Sequence, residues 1–235
     1  VNHNVDGDSR VIHNLGARLS DAPFVELIWN SRSEGSGSFM SAAFGNLEMV
    51  VTEQEGRITF SIHGPFTRAF PAPVPEDAEF LGIAFKLGTF MPNLPPSQLI
   101  DKGVSLPEAA GKSFWLQGSA WQFPNFENAD TFVERLVRYG LLAYDPIVQA
   151  ALQGQQTDLS ERSIQRRFRR ITGMAPGALY QIERARRAMQ LLQQGVSILD
   201  TVEQAGYYDQ PHLTRSLKYL MGQTPAQIAA NMSNE

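Results

Sequence analysis

Ile164-Gln165-Arg166-Arg167-Phe168-Arg169-Arg170-Ile171-Thr172-Gly173-Met174-Ala175-Pro176 returns 49 residues later as Leu213-Thr214-Arg215-Ser216-Leu217-Lys218-Tyr219-Leu220-Met221-Gly222-Gln223-Thr224-Pro225. Arg166 falls on Arg215, Gly173 on Gly222 and Pro176 on Pro225. Apolar residues coincide at 164/213, 168/217 and 171/220, spaced i, i+4, i+7 along one helix face. Each copy then has a Gly suited to the left-handed turn that ends a helix, and a Pro suited to the first turn of the next. The chain therefore carries two copies of one helical unit with a polar, arginine-bearing outer face. Two matched units imply a target that repeats along a line.

Working outward, helices flank both copies. Asp145 caps and Pro146 opens a short helix to Leu152, and Ser160 caps the first repeat helix. A long helix follows over 176–194, with Leu179, Ile182, Ala185, Met189 and Leu192 inward and Gly195 closing it. A short helix over 197–205 stops at Gly206, the second repeat helix spans about 209–221, and Thr224 caps a last helix. Each repeat helix thus follows a shorter one across a connection, the helix-turn-helix arrangement. The first connection, 153–159, is the longer, with its glycine early at Gly154.

Charge divides the same way. The net charge of −4 separates into +3 for residues 156–235 and −7 for residues 1–155. Five of the ten residues from Glu161 to Arg170 are arginine. Such asymmetry marks a nucleic-acid module joined to a different one. An isolated arginine cluster is as readily a solvated helix face; the second copy and its turns shift the balance towards DNA.

The front of the chain reads as strands at 24–29, 46–52, 57–63 and 80–86, rich in β-branched and aromatic residues. A Ser/Gly-rich loop is expected over 31–38, a Pro-rich loop over 70–77, short helical turns and loops over 92–124 including one near 95–100, and a helix over 131–139. The expected fold class is α+β: a β-rich N-terminal domain, residues 1–125, then an all-α domain, residues 126–235, with two helix-turn-helix units joined by a long linker helix. Zero cysteines rule out disulfides, thiol catalysis and cysteine zinc sites. No apolar run resembles a signal peptide or a membrane span, so a cytoplasmic location without membrane contact is expected.

Residues from about 145 to 230 resemble the DNA-binding domain of the AraC family of bacterial transcription regulators. The resemblance rests on Ser160-Glu161-Arg162-Ser163-Ile164-Gln165-Arg166-Arg167-Phe168 and on Gly206-Tyr207-Tyr208-Asp209-Gln210-Pro211-His212-Leu213-Thr214-Arg215 leading to Gly222-Gln223-Thr224-Pro225. Ile182-Glu183-Arg184-Ala185 to Leu192 is similar to that family's linker helix. Thr201-Val202 stands where the family usually has Ile-Ala, and Leu217 where it usually has Phe. Both are packing positions. Phe80 to Gly88 with Leu94 to Leu99 is similar to the N-terminal domain of one subset of these regulators; that likeness names no ligand residues. By analogy the N-terminal domain is regulatory.

The resemblance implies base contacts from Arg162, Gln165 and Arg166, and from the matching Gln210, Pro211, Thr214 and Arg215. Arg bonds guanine bidentately and Gln does so with adenine, whereas Pro211 offers only van der Waals contact. Ser160, Arg169, Arg170, His212 and Lys218 are candidates for phosphates, which position without specifying sequence. Arg215 has a competing role, an ion pair with Asp200 or Glu203. The expected partner is double-stranded DNA. RNA polymerase, a small-molecule effector and a second copy of the chain stay open as further partners, and no cofactor or metal is expected.

An enzyme is the runner-up class, in the form of a cupin-like N-terminal domain that binds or transforms a small molecule while the helical domain anchors it to DNA. His3, His13, His63 and His212 lack metal-ligand spacing. His63 reads as a packed or turn histidine before Gly64-Pro65. No G-x-S-x-G elbow occurs. Gly111-Lys112-Ser113 resembles the end of a phosphate loop, but Leu106 stands where that loop needs Gly. Trp29, Trp115 and Trp121 are core or pocket residues. Nothing nominates a nucleophile, so a non-enzyme is expected.

Overall fold

The computed structural model describes residues 4–5, 12–156 and 158–231; His3 lies outside them. In chain order the strands are β1 (Asn4–Val5), β2 (Ile12–Arg18), β3 (Val25–Ser33), β4 (Gly37–Ser41), β5 (Glu48–Gln54), β6 (Arg57–His63), β7 (Phe70–Val74), β8 (Ala78–Phe85), β9 (Thr89–Phe90), β10 (Gly103–Ser105), β11 (Glu108–Ala109), β12 (Ser113–Leu116), β13 (Ser119–Gln122) and β14 (Ala143–Tyr144). The helices are α1 (Ala129–Arg138), α2 (Pro146–Leu152), α3 (Glu161–Thr172), α4 (Pro176–Gln193), α5 (Ile198–Gln204), α6 (Gln210–Leu220) and α7 (Pro225–Asn231). An α+β fold results, with the β-rich part first and the helical part after it.

The main sheet is antiparallel, in the order β10-β6-β5-β8-β3-β2. Its strands alternate, so each sends every second side chain to one face. Met49, Val51, Phe60, Ile62, Leu81 and Ile83 point to a buried core closed by α1 and the β12–β13 hairpin. There Phe60 stacks on Phe114 at 4.2 Å between ring centroids, and Trp121 meets Phe132 edge-on at 6.1 Å. Glu48, Val50 and Thr52 of β5, with Thr59, Ser61 and His63 of β6, point the other way. On that side they line a cavity of about 510 Å³, which β4 and β7 of the second sheet, β1-β4-β7, help to line.

Several expectations need correction. The Pro-rich loop over 70–77 is largely the strand β7. Phe70-Pro71-Ala72-Pro73-Val74 pairs with β4 and forms an edge of its sheet. Pro71 and Pro73 have the same parity, so both missing N–H groups fall on the unpaired side, where a strand tolerates proline. The Ser/Gly loop over 31–38 shrinks to three residues, because β3 runs on to Ser33 and β4 starts at Gly37. Ser33 is held there by its hydroxyl, which donates to the Pro75 carbonyl at 2.6 Å. Over 92–124 the expected turn near 95–100 is present as a 3-10 helix, Pro96–Gln98, but four short strands, β10 to β13, interrupt the expected loops. β2 escaped the sequence reading, since His13-Asn14 and Gly16-Ala17 break its apolar alternation.

A second core gathers α2 to α7 around Leu179, Ile182, Ala185, Ala188, Met189 and Leu192 of α4. These include every inward residue expected on that helix. Helix α1, grouped with the helical half by sequence, instead gives Ala129, Phe132, Val133 and Leu136 to the first core. Ala42, Ala43 and Leu87 cross the other way, into the second core. The two parts also share backbone hydrogen bonds: Ala43 N–H donates to the Leu220 carbonyl at 2.7 Å, and Ala69 N–H to that of Tyr219 at 2.9 Å.

Candidate nucleic-acid interface

Helix α3 starts where Ser160 Oγ accepts from the Ser163 N–H at 3.3 Å and ends at Gly173, whose φ is +72°. Phe168 and Ile171 are buried and Ile164 is half-buried, so the repeated apolar face is the packed one. Arg162, Gln165, Arg166 and Arg169 stand on an exposed stripe at i, i+3, i+4, i+7, with Arg170 exposed beside it. Among the described residues none of these arginines makes an ion pair. Four exposed cations without acidic partners have no work to do inside the fold.

Helix α6 repeats the plan. Asp209 Oδ1 accepts from the His212 N–H at 2.7 Å, Pro211 fills the first turn, and Leu213, Leu217 and Leu220 are buried. Gln210, Pro211, Arg215 and Lys218 are exposed and Thr214 is half-buried. The Thr214 hydroxyl donates to the Gln210 carbonyl at 2.9 Å, which leaves it able to accept. The alternative for Arg215 is not realised: it pairs with neither Asp200 nor Glu203. Lys218 Nζ donates to the Gly222 carbonyl at 3.1 Å. His212 is half-buried, its ring edge-on to Tyr207 at 5.2 Å between centroids, so it reaches outward less freely than the other phosphate candidates.

Helix α4 holds the two units apart. Its 18 residues span roughly 27 Å at about 1.5 Å per residue. Sequence reasoning missed how it grips the second unit. The Arg184 guanidinium lies over the Tyr207 ring at 4.3 Å and donates to the Gly206 carbonyl at 3.3 Å, fixing the turn before α6. It also missed that Arg167, inside the arginine run, turns away from the outer stripe. Arg167 pairs at 2.5 Å with Asp145, which caps α2 by accepting from the Ile147 N–H at 3.0 Å. Only the long spacing between 145 and 167 stood against reading this from sequence.

One carboxylate thus locks α3 to α2. Asp145→Ala is expected to lose about 2 kcal/mol of stability, roughly 1 from the cap and the rest from a half-buried Arg167 left without its partner. Asp145→Asn keeps the cap and is expected to lose about half as much. Urea denaturation of the two variants checks the order.

Both glycines that end the repeat helices, α3 and α6, press on the β-rich part. A side chain at Gly173 would meet Ile100 and Pro96, and one at Gly222 would meet Met40 and Ala69. The base-contact candidates lie towards the opposite, N-terminal ends of α3 and α6. Elsewhere, Gly111-Lys112-Ser113 turns between two strands, not from strand to helix, so its likeness to a phosphate loop has no structural support. Trp29 lines the cavity, Trp121 is in the first core and Trp115 is exposed. His63 is packed rather than in a turn: half-buried at the end of β6, it lines the cavity.

A family described as a helix-turn-helix domain matches residues 154–231. Comparison with curated proteins and with solved structures gives no match. The match runs from just after α2 to the end of α7, over both repeat helices and the helix between them, and residues 154–231 are accordingly a DNA-binding helix-turn-helix domain of the AraC type.

Proposed function

We propose that the protein is a sequence-specific transcription regulator that reads two successive major-groove segments with α3 and α6. The observation that carries this is the pair of capped helices, each showing unpaired arginine and glutamine to solvent, set on one linker helix of roughly 27 Å. Major grooves recur on one face of B-DNA about every 34 Å, so a single chain spans what a repressor dimer spans with two. Arg162, Gln165, Arg166, Gln210, Pro211, Thr214 and Arg215 read bases. Ser160, Arg169, Arg170 and Lys218 hold phosphates, with His212 a weaker contributor. DNA as partner puts the protein in the cytoplasm.

The β-rich part is the regulatory unit, and its packing extends it beyond residue 125, through α1 to about residue 144. It touches the C-terminal ends of both recognition helices, so it biases their relative orientation. That is the form a regulator controlled through its N-terminal domain needs. RNA polymerase and a second copy of the chain fit as further partners.

A small-molecule role for the β-rich part is favoured by the cavity of about 510 Å³. Turnover there is not favoured. His63 Nε2 lies 2.8 Å from Ser61 Oγ, but among the described residues no acid hydrogen-bonds its ring to orient it as a base.

Hydroxyl-radical footprinting of the full chain on an operator selected from random DNA tests the regulator reading. Two protected patches about 10 to 10.5 base pairs apart on one face are expected. With Arg169, Arg170 and Lys218 on phosphates, affinity should fall roughly 40-fold between about 50 and 200 mM salt. A single patch, or binding indifferent to salt, overturns the tandem reading.

A further inference from the structure

The cavity between the two sheets has a chemistry of its own. Trp29, Phe39, Phe44, Phe66, Phe70 and Phe80 supply its aromatic wall. Phe66 stacks on Phe70 at 3.9 Å between centroids. Among the described residues, the lining holds no lysine or arginine and one carboxylate, Glu48. Glu48 Oε1 accepts from the Trp29 indole N–H at 3.0 Å, and Oε2 has no hydrogen-bond partner among the described residues. The indole in turn occupies space that only a glycine leaves: a side chain at Gly82 would sit 1.9 Å from Trp29. The sequence thus places a bulky donor, a residue without a side chain and a lone acid on three neighbouring strands, β3, β8 and β5.

We propose that this cavity is a binding site for a hydrophobic ammonium ion, an aryl- or alkylamine whose apolar body fills the aromatic wall and whose charged nitrogen pairs with Glu48. Aromatic faces attract a desolvated cation, and a carboxylate without a cation of its own completes the pair. Once Glu48 is ionised, a neutral ligand would leave it uncompensated and an anion would meet it head-on. The site rests on reading the β-rich part as a sensor.

Burial raises the Glu48 carboxyl to about 7, opposed in part by the Trp29 hydrogen bond. The acid therefore waits half-protonated and must lose its proton to hold a cation. Among the described residues, the other titratable group in the lining is His63, directly opposite Glu48 on β6. Burial lowers its pKa, which keeps it neutral near pH 7. Trp29 from β3, Ser61 from β6 and the groups from β2, β4, β7 and β8 that line the cavity carry no charge.

The wall facing Glu48 is also the one that touches the DNA-reading half. β4 and β7 carry Phe39, Phe70 and Val74 into the cavity; Ala43 and Ala69, two residues after β4 and one before β7, donate to the last carbonyls of α6. A ligand that spreads this wall moves the end of a recognition helix.

Titration calorimetry on the full chain tests the assignment with 2,2-diphenylethylamine and 2-(1-naphthyl)ethylamine, each beside the alcohol and the carboxylic acid of the same frame. The amines are expected to bind at least tenfold more tightly than the alcohols, and the acids least. Amine affinity should be about tenfold lower at pH 6 than at pH 8, because proton loss from Glu48 is linked to binding. Glu48→Gln keeps an acceptor for Trp29 and removes a desolvated charge; it should fold as well, bind the amines at least tenfold more weakly and lose the pH dependence. Alcohols or acids binding as well as amines, no measurable amine binding, or a Glu48→Gln chain that binds them unchanged overturns the proposal. Operator affinity is measured separately with and without amine. Glu48-dependent amine binding that leaves it unchanged upholds the ligand class and overturns the sensor reading.

Discussion

Arg166→Ala is expected to cut the affinity of the full chain for its selected operator by about 5- to 150-fold, or roughly 1–3 kcal/mol, while binding to random duplex changes only a few-fold. Arg166 sits on the exposed stripe of α3 and makes no ion pair among the described residues, so its loss leaves the fold intact. Alanine is also the stronger helix former. The deficit should concentrate on one base pair of one half-site, where a bidentate contact to guanine is lost. Arg169→Ala should lower operator and random duplex by the same small factor, because a phosphate contact is blind to sequence. Fluorescence anisotropy on both DNAs, with single base-pair changes in each half-site, reads the difference. If Arg166→Ala weakens both DNAs alike, it is a phosphate residue and the division of roles is wrong.

The helical half was legible in the sequence because each of its signals is local. Ser160, Asp145 and Thr224 lie at the starts of helices, Gly173 and Gly222 have positive φ at their ends, and the i, i+4, i+7 pattern marks the buried face. The β-rich half was legible where β-branched and aromatic residues cluster: the strands expected at 24–29, 46–52 and 80–86 overlap β3, β5 and β8, and Arg57–His63 was placed to the residue. It failed where partners are distant. Phe70-Pro71-Ala72-Pro73-Val74 is a strand only because β4 lies beside it, and its prolines read as a loop. Helix α1 joins the first core because the face of the sheet with Phe60 and Ile62 needs a cover. The cavity was invisible for the same reason. Glu48, Trp29 and Gly82 are far apart in sequence and each is ordinary alone; only strand register brings them together. Of the candidate DNA face, the exposed stripe on α3 was readable, whereas the turn of Arg167 towards Asp145 depends on how α2 packs.

Phe168→Ala is expected to cost about 3–5 kcal/mol, the largest loss from any single change considered for this chain. Phe168 is among the largest fully buried side chains and lies in the core shared by α3, α4 and residues of the β-rich part. Leu217 is its counterpart in the second unit, and Leu217→Ala is expected to cost about 2–5 kcal/mol. Both variants should unfold in one step with the rest of the chain, because Ala42, Ala43 and Leu87 sit in that core and the ends of α6 and β7 are joined through their backbones. Two optical probes decide this. All three tryptophans, Trp29, Trp115 and Trp121, belong to the β-rich part, so their fluorescence follows that part alone. Far-ultraviolet circular dichroism at the helical band follows mainly α2 to α7. In urea, Phe168→Ala should move both transitions to the same lower midpoint. A helical transition that shifts while the tryptophan transition stays would mean that the two parts fold independently. The β-rich part could then hold the recognition helices only loosely, and a ligand in its cavity would have no rigid path to α6.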